Sequence, residues 1–197
     1  RRVLENYNSS TDRLGTQAIF CDLRKPFGME YLIQFAGDPG LSAEGISEKG
    51  TFDLYRDIVT KLVKAGIPKS EIAIVGSDVP KDKRSEIFEK VNSGAVRVVI
   101  GSSDTMGIGV NMQERLFAIH HLMPPRDFKP AMMEQRNGRI DRKGQPAAVV
   151  RCHYFVLKQR PEDKVLEALV RKTETIRREL GSLGDVLVAR TETLLQK

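Results

Sequence analysis

Short runs of apolar residues alternate along this chain with stretches in which apolar residues recur every three or four positions. The runs have the length and composition of buried strands, and the stretches have the period of amphipathic helices. A strand that reads as a continuous apolar run is buried on both faces, which is typical of a parallel sheet covered by helices. We therefore predict an α/β protein with a mostly parallel central sheet flanked by helices.

The predicted elements follow this alternation. The strand pattern occurs in residues 16–23, 71–77, 96–102, 116–123 and 150–157. Residues 51–67 predict an amphipathic helix, because their apolar residues share one face and Pro68 follows. A second helix is predicted to start at Pro80 and to stop at Gly94.

Three segments depart from the alternation. Residues 1–15 are polar and unpatterned, so we expect an irregular lead-in cut from a longer chain. Residues 24–50 combine glycines and prolines with an apolar patch and are interpreted as a loop or insertion. Residues 161–197 predict a helical C-terminal extension, which leaves 16–160 as the main domain.

Composition narrows the class of protein. The 197 residues include 32 Lys and Arg against 26 Asp and Glu, a mild positive excess that points toward polyanions such as nucleic acid. Cys21 and Cys152 each lie in an apolar run, which favours buried reduced thiols over a disulfide or metal site. The apolar runs are shorter than a membrane span requires, so a cytoplasmic protein without membrane contact is expected.

The segment "MMEQRNGRIDRKGQ", residues 132–145, is the most informative for chemistry. It is expected to place Gln135, Arg139 and Arg142 at the start of a helix, with the two arginines on one face. Two guanidinium groups on one face form a clamp suited to phosphate oxygens. The alternative is a surface helix whose charges serve only solubility.

The preceding segment "RVVIGSSDTMGIGVNMQ" favours the phosphate interpretation, because a buried strand runs directly into a turn rich in glycine and hydroxyl groups. Gly107 and Gly109 let the backbone approach a ligand closely, while Ser102, Ser103 and Thr105 supply hydroxyl donors. Open α/β sheets bind ligands at such strand ends.

The order strand, glycine turn, strand and paired arginines resembles the C-terminal motor domain of superfamily 2 helicases and translocases. "TQAIFCDL" resembles motif IV, "IGSSDTMGIGVNMQ" motif V and "EQRNGRIDRKGQ" motif VI, and "GSDVPKDKRSEIF" resembles the segment between motifs IV and V. Gln135 and Gln145 favour the Swi/Snf side, close to bacterial RNA-polymerase-associated and phage-defence or methylase-associated proteins. The resemblance implies a RecA-like three-layer domain with a C-terminal helical extension.

The resemblance also implies roles for individual residues. Arg142 stands where the family has its arginine finger, which reaches the γ-phosphate held by the other lobe, and Arg139 supports it. Gln135 would position the phosphates or the attacking water. The residues expected to bind nucleotide from this lobe are Gly107, Gly109 and Asn111.

Nucleic-acid contacts are implied as well. The motif V hydroxyls, here on Ser102, Ser103 and Thr105, are expected to contact the backbone of the tracked strand. Lys83 and Arg84 would add phosphate contacts, with an exposed helix turn as the alternative.

His120 and His121 invite a catalytic role. Adjacent strand residues face opposite sides, however, and no metal-ligand set surrounds this pair in the sequence. Packing and local hydrogen bonding are therefore favoured, and no metal site is predicted in this chain.

The 197 residues contain no G-x-x-x-x-G-K-[ST] phosphate loop and no acidic magnesium-binding motif. ATP and Mg²⁺ are thus expected to be bound mainly by an N-terminal RecA-like lobe of the same protein, which would be the partner of this lobe. The resulting hypothesis is the second motor lobe of an ATP-dependent translocase on double-stranded DNA. The alternatives are a lobe of a strand-separating DNA or RNA helicase and a non-catalytic binding module.

Overall fold

The computed structural model describes residues 1–22, 53–106, 111–122, 130–141 and 144–155, together with helical residues at seven positions between 168 and 178. Within these residues five strands form one sheet: β1 (Thr16–Phe20), β2 (Ile72–Val75), β3 (Val98–Gly101), β4 (Leu116–His121) and β5 (Arg151–Tyr154). The strand order is β2-β3-β1-β4-β5, and every neighbouring pair is parallel. All five strands lie inside the predicted segments, and the predicted fold class is confirmed.

Strand β1 occupies the middle of the sheet. Ala18 lies opposite Val99 of β3 on one side and opposite Ile119 of β4 on the other. Every residue of these three strands is buried. This complete burial explains why the strands read as uninterrupted runs and not as an alternation of apolar and polar residues.

Helices cover both faces of the sheet. They are α1 (Arg2–Asn8), α2 (Leu54–Lys64), α3 (Lys81–Ser93), the single turn α4 (Ser103–Met106) and α5 (Pro130–Asn137). Helices α1 and α2 pack on one face around Ile19 and Ile100, and α3 packs on the other face around Phe20 and Val99. The result is a three-layer arrangement with one apolar core on each side of the sheet.

Residues at the helix ends explain where the helices begin and end. The carboxylate of Asp53 accepts hydrogen bonds from the backbone N–H groups of Tyr55 and Arg56, which caps α2. Pro80 precedes α3, and Gly94 ends it in the left-handed conformation with φ +85°. A single 3₁₀ turn, Lys69–Glu71, leads into β2.

The prediction that residues 1–15 are irregular is wrong, since α1 lies in this range. The helix is held by polar side chains from the sheet. The amide of Gln17 donates to the Val3 carbonyl at 3.0 Å, and the buried guanidinium of Arg97 donates to the Tyr7 carbonyl at 2.6 Å. These contacts come from distant positions, so no local period could indicate the helix.

The C-terminal extension is described at a few positions only, and those positions are helical. Val170 packs against Met133 of α5, as does Tyr154 of β5, which places this part of the helix near the end of the sheet. Residues 24–50 lie outside the described residues. No helix in the described part of the chain is long and apolar enough to cross a membrane.

Gly94 offers a test of this packing. A Cβ at this position would lie 2.8 Å from Cβ of Leu14 in addition to requiring a strained φ, whereas Gly66, with φ +99°, has open space around it. We expect Gly94→Ala to lower the free energy of unfolding by about 2–3 kcal/mol and the matched Gly66→Ala by about 1 kcal/mol. Urea denaturation of the two variants measures the difference. Equal losses would contradict the close packing at Gly94.

Candidate functional site

The carboxyl ends of the strands bring polar side chains to one edge of the sheet. Asp22 follows β1, Ser102 and Ser103 follow β3, and His121 and Tyr154 end β4 and β5. The strand order reverses beside β1: the chain passes from β1 to β2 and β3 on one side of it, and from β3 across to β4 and β5 on the other. Open α/β sheets bind ligands outside the carboxyl ends of strands at such a switch point.

Asp22, Ser103 and Arg136 form an ion-paired group at this edge, which we call the edge cluster. One carboxylate oxygen of Asp22 accepts a hydrogen bond from the Ser103 backbone N–H at 2.8 Å. The other oxygen pairs with the Arg136 guanidinium and accepts from the Ser103 hydroxyl at 3.3 Å. Nε of Arg136 donates to Oγ of Ser103 at 2.7 Å. Three chain segments are thereby joined.

Arg136 is a buried cation, with 1% of its surface exposed. Burial lowers the pKa of its guanidinium, and the adjacent Asp22 carboxylate partly offsets that change. The guanidinium carbon also lies 5.4 Å from the centre of the Phe20 ring. Removing either charge of such a pair leaves the other without compensation, which typically costs about 3–5 kcal/mol.

A second network lies beside the edge cluster. Nε2 of His121 is 3.0 Å from Oδ1 of Asn137, and the Asn137 amide donates to the Tyr154 hydroxyl at 2.7 Å. The His121 ring stacks on Tyr154, with ring centres 4.7 Å apart, and lies 5.8 Å from Phe20. Burial, and then the nearby Arg136 charge, lowers the pKa of His121 to about 3. His121 is therefore neutral and fixes the end of α5 through Asn137.

The expectation that Gln135 and Arg139 share the start of a helix is wrong, because α5 ends at Asn137. Backbone N–H groups of Arg139 and Ile140 each donate to the carbonyl three residues earlier, which makes a tight turn. Gln145 holds this turn by donating to the Ile140 carbonyl at 2.6 Å. Gly138 and Gln145 end the helix here, and a pattern of charges alone could not indicate this.

The two predicted site residues nearest this turn differ in exposure. Gln135 is exposed on α5, while Arg139 is half-buried in the turn that follows. Arg142, the predicted arginine finger, lies outside the described residues, as do Gly107 and Gly109. The structure thus brings Ser102 and Ser103 to the same edge as the α5 turn, with Arg136 as the link between them.

The hydroxyl of Thr105, one of the predicted phosphate contacts, is used inside the domain. It donates to the Val75 carbonyl at 2.7 Å and accepts from the Ser102 backbone N–H at 3.0 Å. Only 6% of Thr105 is exposed. Its role here is to hold the turn after β3 against β2, while Ser102 and Ser103 are half-buried at the edge itself.

Asn111 is not brought together with the other predicted residues. Its carbonyl accepts a hydrogen bond from the Asn92 amide near the end of α3. Asn92 in turn accepts at its own carbonyl from Arg115, the residue before β4. Asn111 therefore lies toward the amino end of the sheet, opposite the edge cluster.

Lys83 and Arg84 lie in the first turn of α3, beyond the carboxyl end of β2. Lys83 is exposed and pairs with Glu86 at 3.0 Å. The Arg84 guanidinium folds back onto the carbonyls of Val79 and Ser77 at 2.7 and 3.1 Å. These contacts agree with the alternative of an exposed helix turn, in which Arg84 also shapes the loop.

The two adjacent histidines face opposite sides of the sheet, as predicted. His120 points away from the edge cluster, hydrogen-bonds Gln17 at 2.9 Å and stacks on His153 with ring centres 4.7 Å apart. Burial lowers its pKa to about 3. Both histidines thus serve packing and local hydrogen bonding. The described residues hold no group of three or more His, Cys, Asp or Glu side chains suited to a metal ion.

Asp22, Arg136 and Asn137 are the site residues that the motif pattern did not single out. Asp22 is a charged residue at the end of an apolar run, two positions after β1, which marks it as a candidate for the carboxyl edge of the sheet. Arg136 gave no such signal, since a surface arginine and a buried one read alike in sequence. Its partner lies 114 positions away.

Comparison with known proteins gives a family match over part of the chain. Residues 49–144, just under half of the chain, match the family model described as the helicase conserved C-terminal domain. The matched range extends from α2 to α5, and β1 of the same sheet precedes it.

A relative and two solved structures give the wider context. Eighty residues are 36% identical to the defense against restriction protein B of Escherichia phage P1, covering 41% of this chain and only 3% of that protein. The structure of the C-terminal part of the Fun30 ATPase domain superposes with a TM-score of 0.52 at 13% identity, covering 84% of this chain and 43% of that one.

The E. coli DEAD-box protein SrmB, solved bound to regulator of ribonuclease activity A, matches with a TM-score of 0.44 at 15% identity, covering 78% of this chain and 70% of that one. At 13% identity the likeness to Fun30 shows the fold alone. That fold is the RecA-like α/β fold of helicase C-terminal domains, as predicted.

The buried histidines predict a pH dependence of stability. The pKa values of His120 and His121 are about 3 in the folded protein, below the ordinary value of 6.5. Between these values the unfolded chain binds more protons, so the free energy of unfolding falls as the pH drops below about 6.5. We expect a loss of about 1–2 kcal/mol per histidine from pH 7 to pH 5.

Urea denaturation at a series of pH values measures this loss, and His121→Phe provides the comparison. Phenylalanine keeps an aromatic ring at position 121, where it can stack on Phe20 and Tyr154, but it removes one titrating group. The variant should therefore lose less stability between these pH values than the wild type. An unchanged pH dependence would show that His121 is not buried in its neutral form.

Proposed function

We propose that this chain is the second motor lobe of an ATP-dependent translocase of the Swi/Snf type acting on double-stranded DNA. The edge cluster is the observation that carries the proposal. It joins the turn after β3 that contains Ser102 and Ser103, the serine turn, to the turn after α5 that contains Arg139, the arginine turn. Serine hydroxyls and backbone N–H groups suit phosphates of a nucleic-acid backbone, and arginines suit a nucleotide phosphate.

In this mechanism Ser102 and Ser103 contact the backbone of the tracked strand, and the Ser103 hydroxyl exchanges its 3.3 Å hydrogen bond to Asp22 for one to a phosphate. Lys83 at the start of α3 adds positive charge. Arg142 acts as the arginine finger that stabilises the charge developing on the phosphoryl group held by the other lobe, and Arg139 supports it. Gln135, exposed on α5, helps to position the phosphates or the attacking water. Contacts with the backbone carry little sequence information, so binding should weaken with salt and depend little on sequence.

The donor set of the chain fits phosphate better than it fits a divalent cation. The carboxylate of the edge cluster, on Asp22, is already paired with Arg136. We therefore assign Mg²⁺ and the adenine nucleotide to the other lobe, which would supply the phosphate loop, and only the closing arginines to this lobe. Closing and opening of the two lobes around ATP would then move the protein along the duplex.

The first test of the proposal is Arg142→Ala in the complete protein. Loss of an arginine finger is expected to lower the nucleic-acid-stimulated kcat for ATP by about 10³-fold or more. The matched control is Arg56→Ala, which removes an exposed arginine from the surface of α2. Steady-state ATP turnover of both variants measures the effect. Wild-type turnover of folded Arg142→Ala would favour the non-catalytic module.

The isolated chain supplies a second test. Because its 197 residues lack a phosphate loop, we expect no ATP turnover above background, with or without duplex DNA. Addition of the complete protein to the same assay serves as the positive control. Clear DNA-stimulated hydrolysis by the isolated chain would overturn the assignment of the nucleotide to the other lobe.

Two assays distinguish translocation from unwinding. One measures displacement of a triplex-forming strand, and the other measures unwinding of a duplex. The complete protein is expected to displace the third strand in an ATP-dependent manner and to leave the duplex intact. Unwinding in place of displacement would favour the helicase alternative.

A further inference from the structure

A cavity lies at the amino end of the sheet, opposite the edge cluster. Its volume is about 380 Å³, near the lower end of the roughly 300–1,000 Å³ that is usual for ligand sites. The segments that line it lie before β1, before and at the start of β4, and before β5, which are three neighbouring strands. We call it the amino-edge pocket, and its lining includes Arg13, Gly15, Glu114, Arg115, Phe117 and Gln145.

Hydrogen bonds between distant segments fix the walls of this pocket. The Arg115 guanidinium donates to the Asn92 carbonyl at 3.1 Å and to the Arg13 carbonyl at 2.7 Å, which joins the segments before β4 and β1. The Gln145 amide donates to the Leu116 carbonyl at 3.0 Å, which ties the segment before β5 to β4. The pocket is therefore preformed, so a ligand that binds there loses little free energy to ordering the protein.

Two arginine side chains lie close to one aromatic ring at this pocket. The guanidinium carbons of Arg13 and Arg151 are 4.7 and 5.7 Å from the centre of the Phe117 ring. Both arginines are exposed, and neither is paired with a carboxylate in the part of the chain that the structure describes. A guanidinium that lies over a ring keeps its N–H donors for other partners. Two positioned cations are thus available to an anionic ligand.

The balance of charge at the pocket also favours an anionic ligand. Arg13, Arg115 and Arg151 bring three positive charges to the pocket and the ring that lines it. Glu114 is the acidic residue among the described lining residues, and its carboxylate is exposed. Arginine donates to carboxylates and phosphates through a planar fork of N–H groups. The net positive charge of this site therefore suits a ligand with oxyanion groups.

Exposed apolar side chains lie on the same segments and distinguish between two sources of oxyanions. Leu14, next to Arg13, is 42% exposed, and Val149, two residues before Arg151, is 63% exposed. Leu14 also has a φ of +49°, in the left-handed region that a bulky side chain rarely adopts. Apolar side chains beside arginines suit a peptide with acidic and apolar residues. A nucleic-acid backbone offers no apolar side chain to contact them.

We propose that the amino-edge pocket binds an acidic peptide segment of a partner protein. Carboxylates of the segment accept hydrogen bonds from Arg13 and Arg151 beside the Phe117 ring, and its apolar side chains cover Leu14 and Val149. The pocket lies at the opposite end of the sheet from the serine and arginine turns, so a partner bound there leaves that edge open. This inference is independent of the proposed function.

The experiment measures binding of a fluorescein-labelled peptide of Ser-Glu-Leu-Glu repeats to the complete protein by fluorescence anisotropy. We expect saturable binding that weakens with added salt, and no binding of the matched peptide of Ser-Gln-Leu-Gln repeats. Arg13→Ala combined with Arg151→Ala should raise the Kd for the acidic peptide by about tenfold or more. Both side chains are exposed, so the fold should be kept, and thermal unfolding of the double variant checks this.

Arg56→Ala combined with Lys64→Ala is the matched control. It also removes two positive charges, but from the exposed surface of α2. The Kd for the acidic peptide should change by less than about twofold, because charges distant from the pocket are screened by salt. Val149→Ser tests the apolar contact without a change of charge and should raise the Kd by about threefold.

Three results would contradict the proposal. The first is a wild-type protein without saturable binding of the acidic peptide. The second is an equal Kd for the wild type and the folded double variant of Arg13 and Arg151, which would place the peptide elsewhere. The third is a loss of affinity for labelled duplex DNA in that variant with peptide binding unchanged, which would assign the arginines to nucleic acid. Peptide binding is measured without ATP, so failure of the proposed function does not affect these results.

Discussion

The burial of β1 between β3 and β4 is the constraint on which the rest of this domain depends. A strand buried on both faces and paired on both edges has one position in the sheet, and the residues that follow it must emerge at the carboxyl edge. Asp22 is the second residue after β1, and its two oxygens hold the serine turn and Arg136. The turns after β3 and α5 are thus joined through a carboxylate whose position is set by the apolar core.

Buried polar groups complete the assembly. Arg136 and Arg97 are both almost fully buried, and each is bound to groups from other segments. A buried guanidinium is stable only when its donors are paired, so each of these side chains ties distant parts of the chain together. Arg97 attaches α1 to the sheet, and Arg136 attaches the arginine turn to the serine turn. The apolar core supplies most of the stability, and these polar contacts determine which segments meet.

Much of the fold could be predicted from the sequence, because its signals are local. The five strands and the helices α2 and α3 follow from apolar periodicity, from Pro80 and from Gly94. The helix α1 could not be predicted, since it depends on Gln17 and Arg97. The site was predicted in part: Ser102 and Ser103 do lie at the carboxyl edge, whereas Asn111 lies toward the opposite end.

The sequence by itself determined the class of fold and the order of its strands, because periodicity and turn residues are properties of neighbouring positions. Only the tertiary structure decided how the motifs meet. Asp22 and Arg136 are 114 positions apart, and their contact exists because parallel strands bring their carboxyl ends to one edge. The tertiary structure also decided that α5 ends before Arg139, because Gln145 returns to hold the turn through the Ile140 carbonyl. Burial and long-range pairing contribute free energy only in the folded chain, so a local sequence pattern does not predict them.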